Sequence, residues 1–180
     1  MTVRYYASFW RTIRYAHVCI PTVRKENFTT LGTPEILLVL DKADKAPREP
    51  WWRIPGGSIE DGETPAAAMH REFHEETSCQ VPKTETVLQN NGGQLANKTR
   101  ALLVVGISPQ KILLPENFKT SEVFAVRYFP IDALPFTGKE LGSESCRLDR
   151  FTYELFVACI RRNWRLLEHQ GIVSSFNSVL

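Results

Sequence analysis

The stretch GSIEDGETPAAAMHREFHEETSC, residues 57–79, decides how the rest of the chain is read. Thr64 is a good N-cap, because its hydroxyl can accept from the backbone N–H groups that open a helix. Pro65 fits the first helical position, where a missing N–H costs nothing, and Ala66, Ala67 and Ala68 have high helix propensity. A helix is therefore predicted from there to about Thr77. On it Glu72, Glu75 and Glu76 stand at i, i+3 and i+4, which at 100° per residue places them within one arc of about 100°. Ala66, Met69, Phe73 and Thr77 form a separate stripe, expected to lie against a sheet. Glu72 and Glu76 repel each other by about a few tenths of a kcal/mol in water, and by more when desolvated. A divalent cation removes that penalty, since hard ions such as Mg²⁺ take oxygen ligands from a few carboxylates plus phosphate and water.

The flanking spacing makes the pattern specific. Gly57, Glu63, Arg71, Glu72, Phe73, Glu75 and Glu76 are spaced as G, five residues, E, seven residues, R-E-U, one residue, E-E, with U apolar. This resembles the Nudix box, and Trp52-Arg53-Ile54-Pro55-Gly56-Gly57 looks like the strand and loop that lead into it. Ser78 stands where the family has glycine, and Cys79 where an aliphatic residue is usual. The glycine serves the chain reversal at a helix C-terminus, so the departure concerns the backbone and not the chemistry. Cys79 reads as ordinary core.

The resemblance implies a Mg²⁺-dependent hydrolase, with Mn²⁺ as the other candidate ion, that cleaves the pyrophosphate of a nucleoside diphosphate linked to another moiety. It implies Glu72, Glu75, Glu76 and the backbone carbonyl of Gly56 as metal ligands. Glu63 and Arg71 take an orienting role, as an ion pair holding loop to helix. For the general base two candidates stay open, Glu72 and Glu122; residues 122–135, EVFAVRYFPIDALP, look like the later family segment where a loop glutamate precedes a strand. A Nudix-fold nucleotide-binding or regulatory module without catalysis is the alternative. Its usual mark is missing glutamates, and all four are present here.

Bulk properties agree with one domain over residues 1–180, a length sufficient for a real core. The net charge of +2 does not argue for nucleic acid or an anionic membrane. Residues 1–50 carry +3, residues 51–80 carry −4 and residues 81–180 carry +3, so the acidity is local and suits a cation site. Cys19, Cys79, Cys146 and Cys159 lack C-x-x-C spacing, which points to reduced thiols in a cytoplasmic protein. The N-terminus is interrupted by Arg4, Arg11 and Arg14 and does not read as a secretory signal; no stretch approaches the roughly 20 apolar residues of a membrane span.

Outward from the box, residues 15–20, 35–41, 51–54, 84–89, 99–107 and 122–129 read as strands. EILLVLD, residues 35–41, is nearly all apolar and is expected to be buried on both faces. The loop KADKAPREP is expected to be exposed, and Asn90-Asn91-Gly92-Gly93 to turn the chain between two strands. A second helix is expected over residues 144–168, with Leu148, Phe151, Leu155, Cys159 and Trp164 at near-helical spacing. Strands with one helix between them and one at the end give an α/β fold, a Nudix-like α/β/α sandwich with a mixed sheet.

His70 and His74 repeat the spacing of the zinc-protease H-E-x-x-H, but Arg71 fills the slot of the catalytic glutamate, so they read as rim histidines. Trp51 is a candidate for stacking on a nucleobase, ahead of Trp52. The substrate is open among nucleoside triphosphates, nucleotide sugars and dinucleoside polyphosphates. The proline that marks many ADP-ribose hydrolases is absent, with Gln94 and Leu95 at its place. An RNA 5′ end gains no support from the charge. Tyr5, Tyr6, Phe9 and Trp10 could serve a homodimer or cover the chain's own core.

Overall fold

The computed structural model describes residues 11–25, 28–41, 51–84, 86–94, 100–116, 118, 120–134, 147–148 and 150–179. The strands are β1 (Thr12–Cys19), β2 (Thr22–Lys25), β3 (Phe28–Leu31), β4 (Glu35–Asp41), β5 (Trp51–Arg53), β6 (Thr86–Gln94), β7 (Arg100–Ser108), β8 (Val123–Pro130) and β9 (Arg147–Leu148). The helices are α1 (Pro65–Thr77), α2 (Arg150–Arg162) and α3 (Trp164–His169). The main sheet runs β6-β7-β1-β4-β5-β9, with β8 on the other edge of β4; β2 and β3 form a separate pair. β1 lies parallel to β7, and β5 to β9, while the other pairs are antiparallel, so the sheet is mixed.

Strand alternation sends side chains to two faces, and each face carries its own core. Ile13, Tyr15, Leu37, Leu102 and Val104 pack with Ala68 and Phe73 of α1. Val18, Ile36, Leu38, Leu40, Trp52 and Leu103 pack with Leu155, Phe156, Cys159 and Ile160 of α2. Residues 36–40 are all buried, as the apolar run predicted, because each face of β4 meets a helix layer. The result is the α/β/α sandwich.

Three expectations change. The Asn90-Asn91-Gly92-Gly93 stretch is not the reversal: β6 runs on to Gln94, which pairs with Arg100, and the pairing slips between Asn90 and Gly93. The surplus residues are taken up as a bulge, a place where glycine is cheap. Residues 95–99 lie outside the described ones. The long helix over 144–168 is instead a short strand at Arg147–Leu148 and two helices that part at Asn163. Asn163 Nδ2 donates to the Cys159 carbonyl at 2.8 Å, the local side-chain competition by which asparagine interrupts a helix. On α1, Ala66 is exposed and the buried set is Ala68, Glu72, Phe73, Glu76 and Thr77. The loop KADKAPREP, Tyr5, Tyr6, Phe9, Trp10 and Cys146 lie outside the described residues. No helix among the described residues is long and apolar enough to cross a membrane.

A fully buried histidine locks β1 to β7 and β8. Ser108 donates to the Gln110 carbonyl at 2.7 Å, so its oxygen accepts from His17 Nε2–H at 2.9 Å. His17 Nδ1 then accepts from the Tyr128 hydroxyl at 2.7 Å, whose oxygen accepts from the Ile112 N–H at 2.9 Å. Every group is satisfied with a neutral imidazole, and burial lowers its pKa to about 4. Unfolded, the ring binds its proton near pH 6.5; folded, it stays neutral down to about 4. Stability from this group is thus complete above pH 6.5 and drains away as pH falls toward 4, by about 3 kcal/mol in all. His17→Gln removes the titration, so the gap in unfolding free energy between wild type and variant should narrow by that amount from pH 7 to 4. A gap that stays constant in denaturant titrations across this range would refute it.

Candidate active site

The loop that carries Pro55-Gly56-Gly57 is fastened to β1. Ile13 N–H donates to the Gly57 carbonyl and Tyr15 N–H to that of Pro55, each at 2.9 Å, and Ile59 N–H donates to Arg11 at 3.0 Å. Gly56 has φ +134°, and a Cβ there would lie 2.1 Å from the Ile13 carbonyl oxygen. Gly57 makes room for something else: a Cβ would lie 2.5 Å from both carboxylate oxygens of Glu72. The two glycines therefore let the loop touch β1 on one side and α1 on the other.

Helix α1 begins as expected, with Thr64 Oγ1 accepting from Ala67 N–H at 3.2 Å and Pro65 at its head. Arg71 grips Glu63 with two bonds, Nε to Oε1 at 3.0 Å and Nη2 to Oε2 at 2.9 Å, which join the loop to the helix. Those bonds hold the Glu63 carboxyl below the usual carboxylate range. Nη1 of Arg71 also reaches Glu72 at 2.9 Å and Glu75 at 3.2 Å, and Nη2 reaches the Ser58 carbonyl. Ser78 adopts the left-handed conformation, φ 56°, with its N–H on the His74 carbonyl, so the helix ends as a glycine would end it. Serine accepts that geometry at a cost of about 1 kcal/mol.

The three helix glutamates are not equally placed. Glu75 is exposed, whereas Glu72 is 8% and Glu76 1% exposed. Burial raises both of the latter carboxyls above their ordinary value, against the neighbouring arginines. Glu76 accepts from the Gly56 N–H at 2.8 Å and from Arg53 Nη2 at 2.5 Å. Arg53 is itself forked on Asp41, at 2.8 Å to each oxygen. The Gly56 carbonyl receives Arg53 Nη1 at 3.0 Å and Arg14 Nη1 at 2.6 Å. All four predicted cation ligands are thus engaged by guanidinium groups, Glu72 and Glu75 by Arg71, Glu76 by Arg53, and the Gly56 carbonyl by Arg53 and Arg14.

Glu122 stands exposed at the head of β8, close enough for its charge to act on Glu72. Trp51 is 43% exposed, while Trp52 is buried edge-on against Phe129, so of the two only Trp51 faces outward. His70 and His74 are exposed and off the cluster, as rim histidines should be. Arg53, Asp41 and Arg14 are the residues that sequence reasoning missed. Alternation along β5 contains a signal for one of them: with Trp52 and Ile54 in the core, Arg53 must point to the other face. Asp41 gives no such sign, because only the pairing of β4 with β5 brings it to Arg53.

Among the described residues no group of three or more His, Cys, Asp or Glu side chains is arranged to hold a metal ion as it stands. The donor chemistry nevertheless suits a hard cation. It is oxygen only, with Glu72, Glu75 and Glu76 on one helix and a loop carbonyl opposite, all now held by arginines.

The family model described as the NUDIX domain matches residues 16–146, most of the chain. This chain belongs to the NUDIX family. It is accordingly a Nudix hydrolase, of the enzyme class that acts on pyrophosphate bonds. No curated protein matches the sequence. Among solved structures, a MutT/nudix family protein from Enterococcus faecalis is similar at 16% identity and TM-score 0.53, over 92% of this chain and 66% of that one. A bifunctional NMN adenylyltransferase/ADP ribose pyrophosphatase from Francisella tularensis, complexed with AMP and a manganese ion, is similar at 19% identity and TM-score 0.51. That match covers 84% of this chain and 41% of the Francisella protein. A MutT NUDIX hydrolase from Burkholderia pseudomallei is similar at 22% identity and TM-score 0.43, over 79% of this chain and 95% of that one. At these identities the likeness is one of fold. The chain spans just under two thirds of the Enterococcus protein and less than half of the Francisella one.

Proposed function

We propose that this Nudix hydrolase uses Mg²⁺, with Mn²⁺ able to replace it, to cleave the pyrophosphate of a nucleoside diphosphate linked to another moiety. The observation that carries the proposal is that Glu76 and Glu72 meet the loop at Gly56 and Gly57, while Arg71 ties Glu72 to Glu63 and Glu75. Glu72, Glu75, Glu76 and the Gly56 carbonyl would hold the cation, which when bound neutralises the phosphates and polarises the phosphorus. Arg71 and Glu63 keep the loop and helix in register. Of the two candidate bases we take Glu122 to receive the proton of the attacking water, because Glu72 is buried and committed to Arg71 whereas Glu122 is exposed beside it. Water attack on one phosphorus breaks the bridging P–O bond and gives two phosphorylated products.

Trp51 is the residue we assign to the nucleobase, since it is exposed at the strand that ends in Arg53. The Francisella neighbour, an ADP ribose pyrophosphatase crystallised with AMP, supports a small-molecule nucleotide as substrate. The free thiols of Cys19, Cys79 and Cys159 suit a reducing compartment, and we place the protein in the cytoplasm.

The test is release of nucleoside monophosphate from a panel of ADP-ribose, nucleotide sugars, dinucleoside polyphosphates and nucleoside triphosphates. At least one should be cleaved with Mg²⁺ present, and cleavage should stop when EDTA removes the ion. Glu76→Gln should lose most of that activity; undiminished turnover in the variant would overturn the ligand assignment. Nucleotide binding with no product from any member of the panel would instead identify a binding module.

A further inference from the structure

Arg53 makes more bonds than a strand-end arginine needs. The fork on Asp41 already satisfies its planar geometry. Its two further bonds, to Glu76 Oε1 and to the Gly56 carbonyl, fall on two of the oxygens assigned above to the cation. Glu76 is almost wholly buried, and a carboxylate in that position requires a counter-charge at all times. Arg53 thus sets a guanidinium charge at the oxygens where a divalent ion would bind, and two cations at one small buried site repel each other.

We propose that Arg53 is a built-in counter-ion that stands in for the cation at Glu76 and Gly56, and that a divalent ion binds by displacing it onto Asp41. The proposal deepens the hydrolase reading and rests on it. Asp41 makes the exchange feasible. It lies on β4, next to β5, with its side chain 39% exposed, so Arg53 stays paired when it leaves Glu76. Arg14, the second donor to the Gly56 carbonyl, likewise keeps its bond to the Ile54 carbonyl at 3.1 Å. Without the cation the buried carboxylate is never left bare; with it, the affinity measured is the difference between two occupants.

The experiment measures binding of Mn²⁺ alone, by calorimetry or by the resonance signal of free Mn²⁺, to wild type, Arg53→Gln, Glu76→Gln and the double variant. Arg53→Gln should bind about tenfold or more tightly, as expected when one charged hydrogen bond no longer competes. Glu76→Gln should bind more weakly, and in that background Arg53→Gln should gain much less than in wild type, only the share that comes from freeing the Gly56 carbonyl. Because Arg53→Gln bares a buried carboxylate, Mn²⁺ should also raise its melting temperature by more than it raises that of wild type. Should that variant fail to fold at any Mn²⁺ concentration, Arg53→Lys, which keeps the charge but lacks the fork, takes its place and should still bind more tightly than wild type. Affinity of the Arg53 variant at or below wild type would overturn the proposal. So would an equal gain in the Glu76→Gln background, which marks a long-range charge effect, or an unchanged affinity of Glu76→Gln itself. Wild type that binds no Mn²⁺ removes the proposed metal assignment and this inference together, whereas normal binding by wild type with no gain in the variants removes the inference alone.

Discussion

Glu72→Gln is expected to lower kcat by about a thousandfold at saturating Mg²⁺ and nucleotide, the range seen when a charged group at the reacting centre is lost. The side chain is 8% exposed and lodged against Gly57, with Arg71 Nη1 2.9 Å from one oxygen. Glutamine has the same shape and can still accept from Arg71 through its carbonyl oxygen, so the loop and helix keep their arrangement. The negative charge is what disappears. Burial already raises this carboxyl above its usual value, helped by the nearby charges of Glu75 and Glu122, which means the folded protein holds the anion at a cost. A neutral replacement relieves that cost. The variant should therefore melt at or above the wild-type temperature while losing its turnover, the opposite of what a structural residue would do. Turnover above about a tenth of wild type would exclude the role, since the loss would then be within about 1.4 kcal/mol.

Gly56→Ala is expected to abolish the fold, with a loss above about 4 kcal/mol out of a total stability of about 5–15 kcal/mol. The new Cβ would meet the Ile13 carbonyl oxygen at 2.1 Å and the Arg14 Cα at 2.8 Å, both backbone atoms in the middle of the sheet. Those atoms have little freedom to yield. β1 is paired with β7 along its whole length, and the bonds from Ile13 and Tyr15 to the loop close the other side. The φ of +134° adds backbone strain that an L-residue relieves only by moving the loop, and the Gly56 N–H would then leave Glu76. Gly62→Ala is the control. It also has positive φ, +84°, but nothing lies within 4 Å of its Cβ position, so it should cost only about 1 kcal/mol. Circular dichroism and thermal melts of the two variants check the contrast; a cooperative melt of Gly56→Ala within a few degrees of wild type would show that the loop is free to shift.

The functional helix was readable in detail because its signals are local. Thr64, Pro65 and the three alanines set its start, and the structure begins α1 at Pro65 and ends it at Thr77. The Glu63–Arg71 pair followed from the family resemblance and is present as a two-bond fork. Burial of the glutamates was not readable from their spacing. Glu72 and Glu76 lie beside Phe73 and Thr77 on the helix surface, and whether that edge meets water or the Gly56-Gly57 loop depends on where the loop is carried by β1. The long terminal helix failed for a related reason. Its apolar spacing continues through Asn163, but the asparagine amide takes the Cys159 carbonyl and the helix divides there.

The reaction class rests on the resemblance of residues 57–79 to the Nudix box; by itself, the sequence determined the α/β/α layering and the positions of four glutamates and an arginine. These depend on propensity, strand alternation and a fixed helical pitch, each written within a few neighbouring residues. Tertiary structure alone decided which of those carboxylates are buried and what answers their charge. Arg53 comes from one strand, Asp41 from the next, Arg14 from β1 and Glu76 from α1, and they meet only because the sheet order places β4 between β1 and β8 and against β5. A charge partner contributed from four separate elements has no spacing for a sequence to display, yet in a buried site it sets how readily a cation can enter.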